Sequence, residues 1–127
     1  MKKQKLLLVD DDAFLRDMYA IKFTESKFDV QVAESAHQVL TIISQTPDFT
    51  VILLDMVMPG MTGIELIAEI KTSFPDMKAD CIVLSNQGEE SDIHEAKTAG
   101  AAGYIVKAEA IPSDVVKKVS KIIGLKK

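Results

Sequence analysis

Five side chains that could take part in chemistry stand at the ends of apolar runs: Asp10, Asp11, Asp55, Ser85 and Lys107. Three carboxylates drawn together repel one another unless a cation neutralises them, and Mg²⁺ typically takes one or two carboxylates together with phosphate oxygens. A lysine ammonium and a serine hydroxyl suit the same phosphate oxygens. The set predicts a phosphoryl-transfer site, with Asp55, alone at the end of its run, as the nucleophile.

The apolar runs predict the strands that must position these side chains. They cover residues 5–10, 29–33, 50–55, 80–85 and 103–107. Apolar residues recur at helical spacing between the runs, in the sets Phe14/Met18/Ile21, Val39/Leu40/Ile43, Ile67/Ile70/Phe74, Ile93/Ala96/Gly100 and Val115/Val119/Ile122. This alternation predicts an α/β fold, a three-layer sandwich with a five-stranded parallel sheet between two layers of helices.

Helix boundaries carry their own signals. The expected caps are Asp12, Ser35 with Gln38, Thr62 with Glu65, Gly100, Pro112 and Gly124. Because the carboxyl ends of parallel strands share one edge, where ligands bind, the polar strand ends should meet there. A single aspartate or lysine at such a position is usually a helix cap or a solvated charge. Four predicted strands end in a side chain that suits the same chemistry, and this favours a common site.

Length and charge limit the other possibilities. The 127 residues are 47% hydrophobic, which predicts one domain over residues 1–127. The net charge of −4 argues against direct binding to nucleic acid. Residues 6–9 are too short a run for a signal peptide or a membrane insertion. Cys81, inside an apolar run, is expected to be a buried inert thiol, which is typical of a cytoplasmic protein.

The sequence resembles the receiver domain of two-component response regulators over nearly its whole length. The matching motifs are the acidic pair Asp10 and Asp11, the segment LLDMVMPGMTG at residues 53–63, Ser85, and Tyr104 with Lys107. The resemblance implies a flavodoxin-like (βα)5 sandwich with strand order 2-1-3-4-5. It also allows either a stand-alone chemotaxis-type or phosphorelay protein, or the receiver of a larger protein.

Phosphorylation of Asp55 is the function that the resemblance implies. The donor would be a phosphohistidine of a sensor histidine kinase or of a histidine phosphotransfer protein. Mg²⁺ would be held by Asp11, Asp55 and the backbone carbonyl of Val57, with Asp10 acting mostly through water. The protein would be a signalling switch that catalyses only its own phosphorylation and slow dephosphorylation, not an enzyme in the usual sense.

A conformational switch is the second implication of the resemblance. Lys107 would pair with the phosphoryl group, Ser85 would move to hydrogen-bond it, and Tyr104 would swing inward. The surface of helix four, strand five and helix five would then bind an unidentified downstream protein. The protein would be a monomer or a weak phosphorylation-dependent dimer.

Two residues depart from the family pattern, and two other functions stay open. Ala108 follows Lys107 where the family commonly has a proline in a cis bond, so a trans bond is expected. Asn86 stands where the family often has a small residue, which bears on phosphotransfer and hydrolysis rates. One alternative is a phosphorylation-independent interaction module. The other is a haloacid-dehalogenase-type phosphatase with Asp10 as nucleophile, although the residues that follow fit its motif poorly.

Overall fold

The computed structural model describes residues 4–86 and 88–124 of the chain. All five predicted strands and all five predicted helices are present. In chain order they are β1 Gln4–Val9, α1 Ala13–Glu25, β2 Phe28–Ala33, α2 Ala36–Gln45, β3 Val51–Leu54, α3 Gly63–Ser73, β4 Asp80–Ser85, α4 Glu90–Ala99, β5 Gly103–Val106 and α5 Pro112–Ile122. A short 3-10 turn, Lys107–Glu109, lies between β5 and α5.

The five strands form one parallel sheet in the order β2-β1-β3-β4-β5, which confirms the order implied by the resemblance. Val9 at the end of β1 is in register with Ala33 on β2 and with Leu54 on β3. Ser85 at the end of β4 is in register with Val106 on β5. The carboxyl ends of the strands therefore lie along one edge of the sheet, where the sequence places its polar side chains.

Two hydrophobic cores lie on opposite faces of the sheet. Leu6 and Leu8 of β1 pack into the core formed with α1 and α5. Leu7 and Val9 pack into the core formed with α2, α3 and α4. Because successive side chains of a strand point to opposite faces, a strand covered on both sides must be apolar throughout. This confirms the three-layer sandwich and explains why the runs in the sequence are continuous.

The predicted stripe on α1 is wrong about which face is buried. Phe14 and Ile21, its two ends, are 77% and 61% exposed. The buried side chains of α1 are Tyr19 and Phe23, which lie one turn apart and face the sheet. Phe23 meets Phe28 edge to face, with 5.2 Å between the ring centroids. Helical spacing alone could not separate two apolar stripes on one helix, and the contact with β2 decided between them.

Most of the predicted caps are confirmed as hydrogen bonds. Thr62 Oγ1 accepts from the N–H of Glu65 at 3.1 Å, and Glu65 Oε1 accepts from the N–H of Thr62 at 2.9 Å. Ser35 makes only half of such a box, because the Gln38 side chain accepts from the N–H of Glu34 instead. The remaining caps occur as expected at Asp12, Gly100 and Pro112. The C-cap of α5 is Ile123, one residue before the predicted Gly124, which has a positive φ of 83°. Local sequence signals therefore mark the helix boundaries well.

Cys81 is buried in β4, and burial raises the pKa of its thiol to about 11. This agrees with the inert thiol that was expected. Within residues 4–86 and 88–124, no helix is both long enough and apolar enough to cross a bilayer.

Candidate functional site

Four predicted strands ended on a site residue, and three of these strands stop one residue earlier in the structure. Asp10, Asp55 and Lys107 come directly after the last residues of β1, β3 and β5. They lie in the loops at the carboxyl edge of the sheet, where their side chains can turn toward one another. The site is therefore built on loop residues that are anchored by a rigid sheet.

Asp10 is buried, with 2% of its surface exposed. Its Oδ1 accepts a hydrogen bond from the N–H of Asp12 at 2.9 Å. Its backbone carbonyl accepts from Nη1 of Arg16 at 2.9 Å. Arg16 was not among the predicted site residues. The signal for it was a cation in the first turn of α1, because helical side chains point back toward the helix N-terminus and hence toward the end of β1.

The three consecutive aspartates divide between two tasks. Asp12 is the N-cap of α1, and its side chain accepts from the N–H of Leu15 at 3.1 Å. Asp11 is exposed and points one carboxylate oxygen into the cluster that Asp10 and Asp55 form. The predicted cap and the predicted acidic pair are thus separate features of the same short stretch.

Asp55 is held at the start of the loop between β3 and α3. Its N–H donates to the carbonyl of Val9, and its Oδ1 accepts from the N–H of Val57, both at 3.2 Å. The N–H of Gly63 donates to the carbonyl of Met56 at 2.8 Å, which brings the start of α3 against this loop. A Cβ atom on Gly63 would collide with the backbone carbonyl oxygen of Asp55. The glycine therefore permits the position of the Asp55 backbone.

One carboxylate oxygen from each of Asp10, Asp11 and Asp55 lies within 4.8 Å of the others. The donors are all oxygen atoms, and one of the three carboxylates is exposed, so a cation could keep several of its waters. This donor set fits a hard divalent ion such as Mg²⁺. The structure thus brings the three predicted acidic residues together, and the predicted role of the Val57 carbonyl stays a prediction.

Lys107 bridges two of the carboxylates. Its Nζ donates to Oδ2 of Asp10 at 2.9 Å and to Oδ2 of Asp55 at 3.1 Å. Its side chain is only 7% exposed. Burial by itself would lower the pKa of Lys107, but the hydrogen bonds and charges of Asp10 and Asp55 outweigh burial and raise it. The site therefore holds a permanent ammonium beside the proposed nucleophile.

Ser85 and Tyr104 are linked to each other. Ser85 is 1% exposed at the end of β4, and Tyr104 is half-buried on β5. Burial raises the pKa of the Tyr104 hydroxyl and the charge of Asp92 raises it further, while a side-chain hydrogen bond with Ser85 opposes the rise. The hydroxyl predicted to meet the phosphoryl group is thus joined to the aromatic residue predicted to switch.

The two departures from the family pattern lie beside Lys107. The peptide bond between Lys107 and Ala108 is trans, as expected, because the described residues contain no cis peptide bond. Asn86 is exposed and lies with Lys107 on the wall of one cavity. Its expected effect on reaction rates stays a prediction.

A parallel sheet with helices on both faces and an acidic crevice at its carboxyl edge defines a flavodoxin-like α/β protein with a binding site at the strand ends. The family model for the response regulator receiver domain matches residues 6–120. The chain therefore belongs to the receiver domains of two-component response regulators. Phosphorylation by a sensor kinase is the function of this family, whose members are signalling switches and not classical enzymes.

Known relatives agree with this assignment. The phosphate regulon transcriptional regulatory protein PhoB of Pseudomonas aeruginosa is 31% identical over 97% of this chain, which spans 53% of that protein. The two-component response regulator ORR11 of Oryza sativa subsp. indica is 30% identical over 93% of this chain and 80% of that protein. Among solved structures, chemotaxis protein CheY4 of Vibrio cholerae superposes with a TM-score of 0.87 at 25% identity, covering 94% of this chain and 98% of that one. The chain thus spans about half the length of PhoB and nearly all of CheY4.

Proposed function

We propose that Asp55 accepts a phosphoryl group from a phosphohistidine of a sensor histidine kinase or a histidine phosphotransfer protein, and that residues 1–127 act as a phosphorylation-dependent switch. The observation that carries the proposal is the bridge of Lys107 between Asp10 and Asp55 inside the acidic cluster. A buried ammonium held against a partly exposed carboxylate is the arrangement that phosphoryl transfer to that carboxylate requires.

The proposed reaction needs little covalent chemistry from the protein. An oxygen of Asp55 attacks phosphorus, the new O–P bond forms as the P–N bond of the phosphohistidine breaks, and the imidazole nitrogen leaves with the bond's electrons. Asp10, Asp11, Asp55 and the Val57 carbonyl would hold Mg²⁺, which when bound neutralises charge on the phosphoryl oxygens. Lys107 supplies a charge-assisted hydrogen bond to the same oxygens.

The proposed switch begins with the added charge. Phosphorylation places about 1.5–2 negative charges in the crevice, and these attract donors that had other partners before. A Ser85 hydroxyl that turns toward the phosphoryl group gives up its hydrogen bond with Tyr104. Tyr104 lies on β5, next to α4 and α5, so its movement changes the surface that these three elements form. A bistable side-chain pair of this kind is enough to couple the site to that surface.

The output of the proposed switch is a binding event. The downstream partner would be a protein that recognises the surface of α4, β5 and α5, and the chain itself would be a monomer or a weak phosphorylation-dependent dimer. Direct nucleic-acid binding is not proposed, because the net charge is −4. The cytoplasm is the proposed location, because the phosphoryl groups of sensor kinases derive from cytoplasmic ATP.

The phosphatase alternative is not favoured. A nucleophile must reach its substrate, but Asp10 is only 2% exposed. Asp55 retains more exposure, at 14% of its side chain. Family membership points the same way.

Intact-protein mass spectrometry with a small phosphodonor tests the proposal. Acetyl phosphate with Mg²⁺ should add one phosphoryl group to the wild type and none to Asp55→Asn. Asp12→Asn is the matched control, because asparagine caps a helix as well as aspartate does and Asp12 lies outside the cluster. A wild type without an adduct would leave the interaction module as the better account. Turnover of phosphomonoesters that depends on Asp10 but not on Asp55 would support the phosphatase.

A further inference from the structure

The connection between β1 and α1 carries two carboxylates of the acidic cluster and holds them differently. Asp10 is buried, and its side chain accepts hydrogen bonds from the N–H of Asp12 and from Lys107, which fix its direction. Asp11 is exposed, so little packing surrounds its side chain. The direction of the Asp11 carboxylate therefore depends on the backbone that carries it.

Arg16 holds this backbone on both sides of Asp11. Its Nη1 donates to the carbonyl of Asp10 at 2.9 Å, and its N–H donates to the carbonyl of Asp12 at 2.9 Å. The second bond is an ordinary bond of the first helical turn, whereas the first is made by the side chain. Because a peptide unit is planar, a bond to the Asp10 carbonyl fixes the plane from which Asp11 extends. The guanidinium thus sets the orientation of the peptide that carries Asp11.

The guanidinium itself has a fixed place in the fold. The Arg16 side chain is 12% exposed, and its Nη2 lies 3.9 Å from Oε2 of Glu34, the residue directly after β2. The N–H of Asp10 donates to the carbonyl of Ala33 at 3.2 Å, so the ends of β1 and β2 are joined at the same point. An arginine presents its donors in a rigid planar fork, which suits two partners in different directions. Arg16 therefore ties the connection after β1 to the connection after β2.

We propose that Arg16 is a positioning residue for the metal site: through the carbonyl of Asp10, its guanidinium directs the Asp11 carboxylate into the acidic cluster. This inference rests on the proposed function, since it concerns the cation of the same reaction. Groups that orient a metal ligand contribute to metal affinity without touching the metal. Two competing explanations are a role in stability alone and a direct effect of the positive charge of Arg16 on the cation.

The variant Arg16→Met separates the three explanations by the sign of its effect on Mg²⁺ binding. Removal of a positive charge near the cluster would by itself strengthen the binding of a cation. A role in stability alone would lower the thermal unfolding midpoint and leave the affinity of the folded protein unchanged. The positioning role predicts weaker binding. We expect the Mg²⁺ dissociation constant to rise about tenfold, at the lower end of the roughly 10–100-fold cost of losing a group that orients a ligand.

Titration of MgCl₂ into the unphosphorylated, ¹⁵N-labelled full chain measures this constant, followed by the amide chemical shifts of residues 10–12 and 55. The measurement needs no phosphodonor, so it is independent of phosphorylation. Arg16→Lys is the second variant, in case the methionine variant does not fold. Lysine keeps the charge but lacks the planar fork, so we expect a smaller rise in the same direction.

Lys22→Met is the matched control. Lys22 is a cation on the same helix, and its Nζ lies 3.9 Å from Oε1 of Glu25, the same distance as between Arg16 and Glu34. It lies six residues further along α1 and donates no hydrogen bond to the connection after β1 among the bonds of the described residues. Its replacement should leave the Mg²⁺ dissociation constant at the wild-type value.

The possible results separate this inference from the proposed function. Unchanged or tighter Mg²⁺ binding in whichever Arg16 variant folds would overturn the positioning role, as would an equal loss of affinity in Lys22→Met. A wild type that does not bind Mg²⁺ would overturn it as well. A wild type that binds Mg²⁺ but takes no phosphoryl group from acetyl phosphate would overturn the proposed function and leave the positioning of Asp11 standing.

Discussion

Replacement of Lys107 by methionine tests the energetic role of the bridge at the site. Methionine keeps most of the length and the apolar stem of lysine but removes the charge and the donors. The change leaves the carboxylates of Asp10 and Asp55 facing each other, at 3% and 14% side-chain exposure, without their shared cation. Folding must then bring two negative charges together in a poorly hydrated crevice.

The expected loss of unfolding free energy is about 3 kcal/mol, at the lower end of the roughly 3–5 kcal/mol typical of a broken buried ion pair. The lower end applies because each carboxylate keeps one backbone donor. Oδ1 of Asp10 still accepts from the N–H of Asp12, and Oδ1 of Asp55 from the N–H of Val57. Asp55 also keeps some contact with water.

A second ion pair of the same bond length serves as the control. Lys5 donates to Asp48 at 2.9 Å, the same distance as between Lys107 and Asp10, but the side chains of this pair are 28% and 65% exposed. Exposed ion pairs contribute about 0–1 kcal/mol, so Lys5→Met should lower the unfolding free energy by no more than that. Because the two bonds have the same length, the comparison tests how burial and the second carboxylate of the Lys107 bridge change the contribution of an ion pair.

Urea unfolding followed by circular dichroism measures both variants, since the chain has no tryptophan for fluorescence. Each variant should be unfolded in two series, one with a chelator and one with Mg²⁺. We expect Mg²⁺ to stabilise Lys107→Met more than the wild type, because a bound cation replaces the lost positive charge. Equal losses for Lys107→Met and Lys5→Met in the chelator series would refute the reasoning, because they would show that the buried carboxylates do not need Lys107.

Three further outcomes are expected. Burial raises the pKa of Cys81 from 9.0 to about 11, so the unfolded thiol ionises before the folded one as the pH rises from 9 to 11. The unfolding free energy should therefore fall by about 2 kcal/mol more in the wild type than in Cys81→Ala over that interval, and parallel curves would contradict this. Gly63→Ala should slow phosphorylation by at least tenfold, because its Cβ would displace the Asp55 carbonyl; a wild-type rate in the acetyl phosphate assay would show that the loop yields without cost. Asp11→Asn should raise the Mg²⁺ concentration needed for half-maximal phosphorylation, whereas Asp12→Asn should not, and equal shifts would mean that the two aspartates do not have separate tasks.

Much of the fold was predictable because its signals are local. Each buried strand is a continuous apolar run, since helices cover both faces of the sheet. The capping pair of Thr62 and Glu65 needs only residues three positions apart. The strand order was different, because no local pattern states which strands are neighbours, and only the resemblance to a known family supplied it.

The buried face of α1 was predicted wrongly because it depends on tertiary contacts and not on a local signal. Phe14 and Ile21 are more apolar than Tyr19, yet Tyr19 is buried and the other two are exposed. Which stripe of a helix faces the sheet depends on how the helix docks, and Phe23 with its partner Phe28 fixes that docking. Tyr19 was overlooked for this reason, and its position on the wall of the same cavity as Lys107 could be seen only in the folded chain.

The sequence by itself determined which chemical groups meet at the site. The residue at the end of each strand can be read from the sequence, and parallel strands have their carboxyl ends at one edge of the sheet. It could not determine which role each of those groups has. Asp10 and Asp11 are adjacent and identical in type, but the fold buries the first against Lys107 and leaves the second exposed. Lys107 reaches Asp10 across 97 residues and Asp55 across 52, so tertiary structure alone sets the bridge. Burial and pairing are properties of the packed molecule, and they decide which of these charges holds the site together.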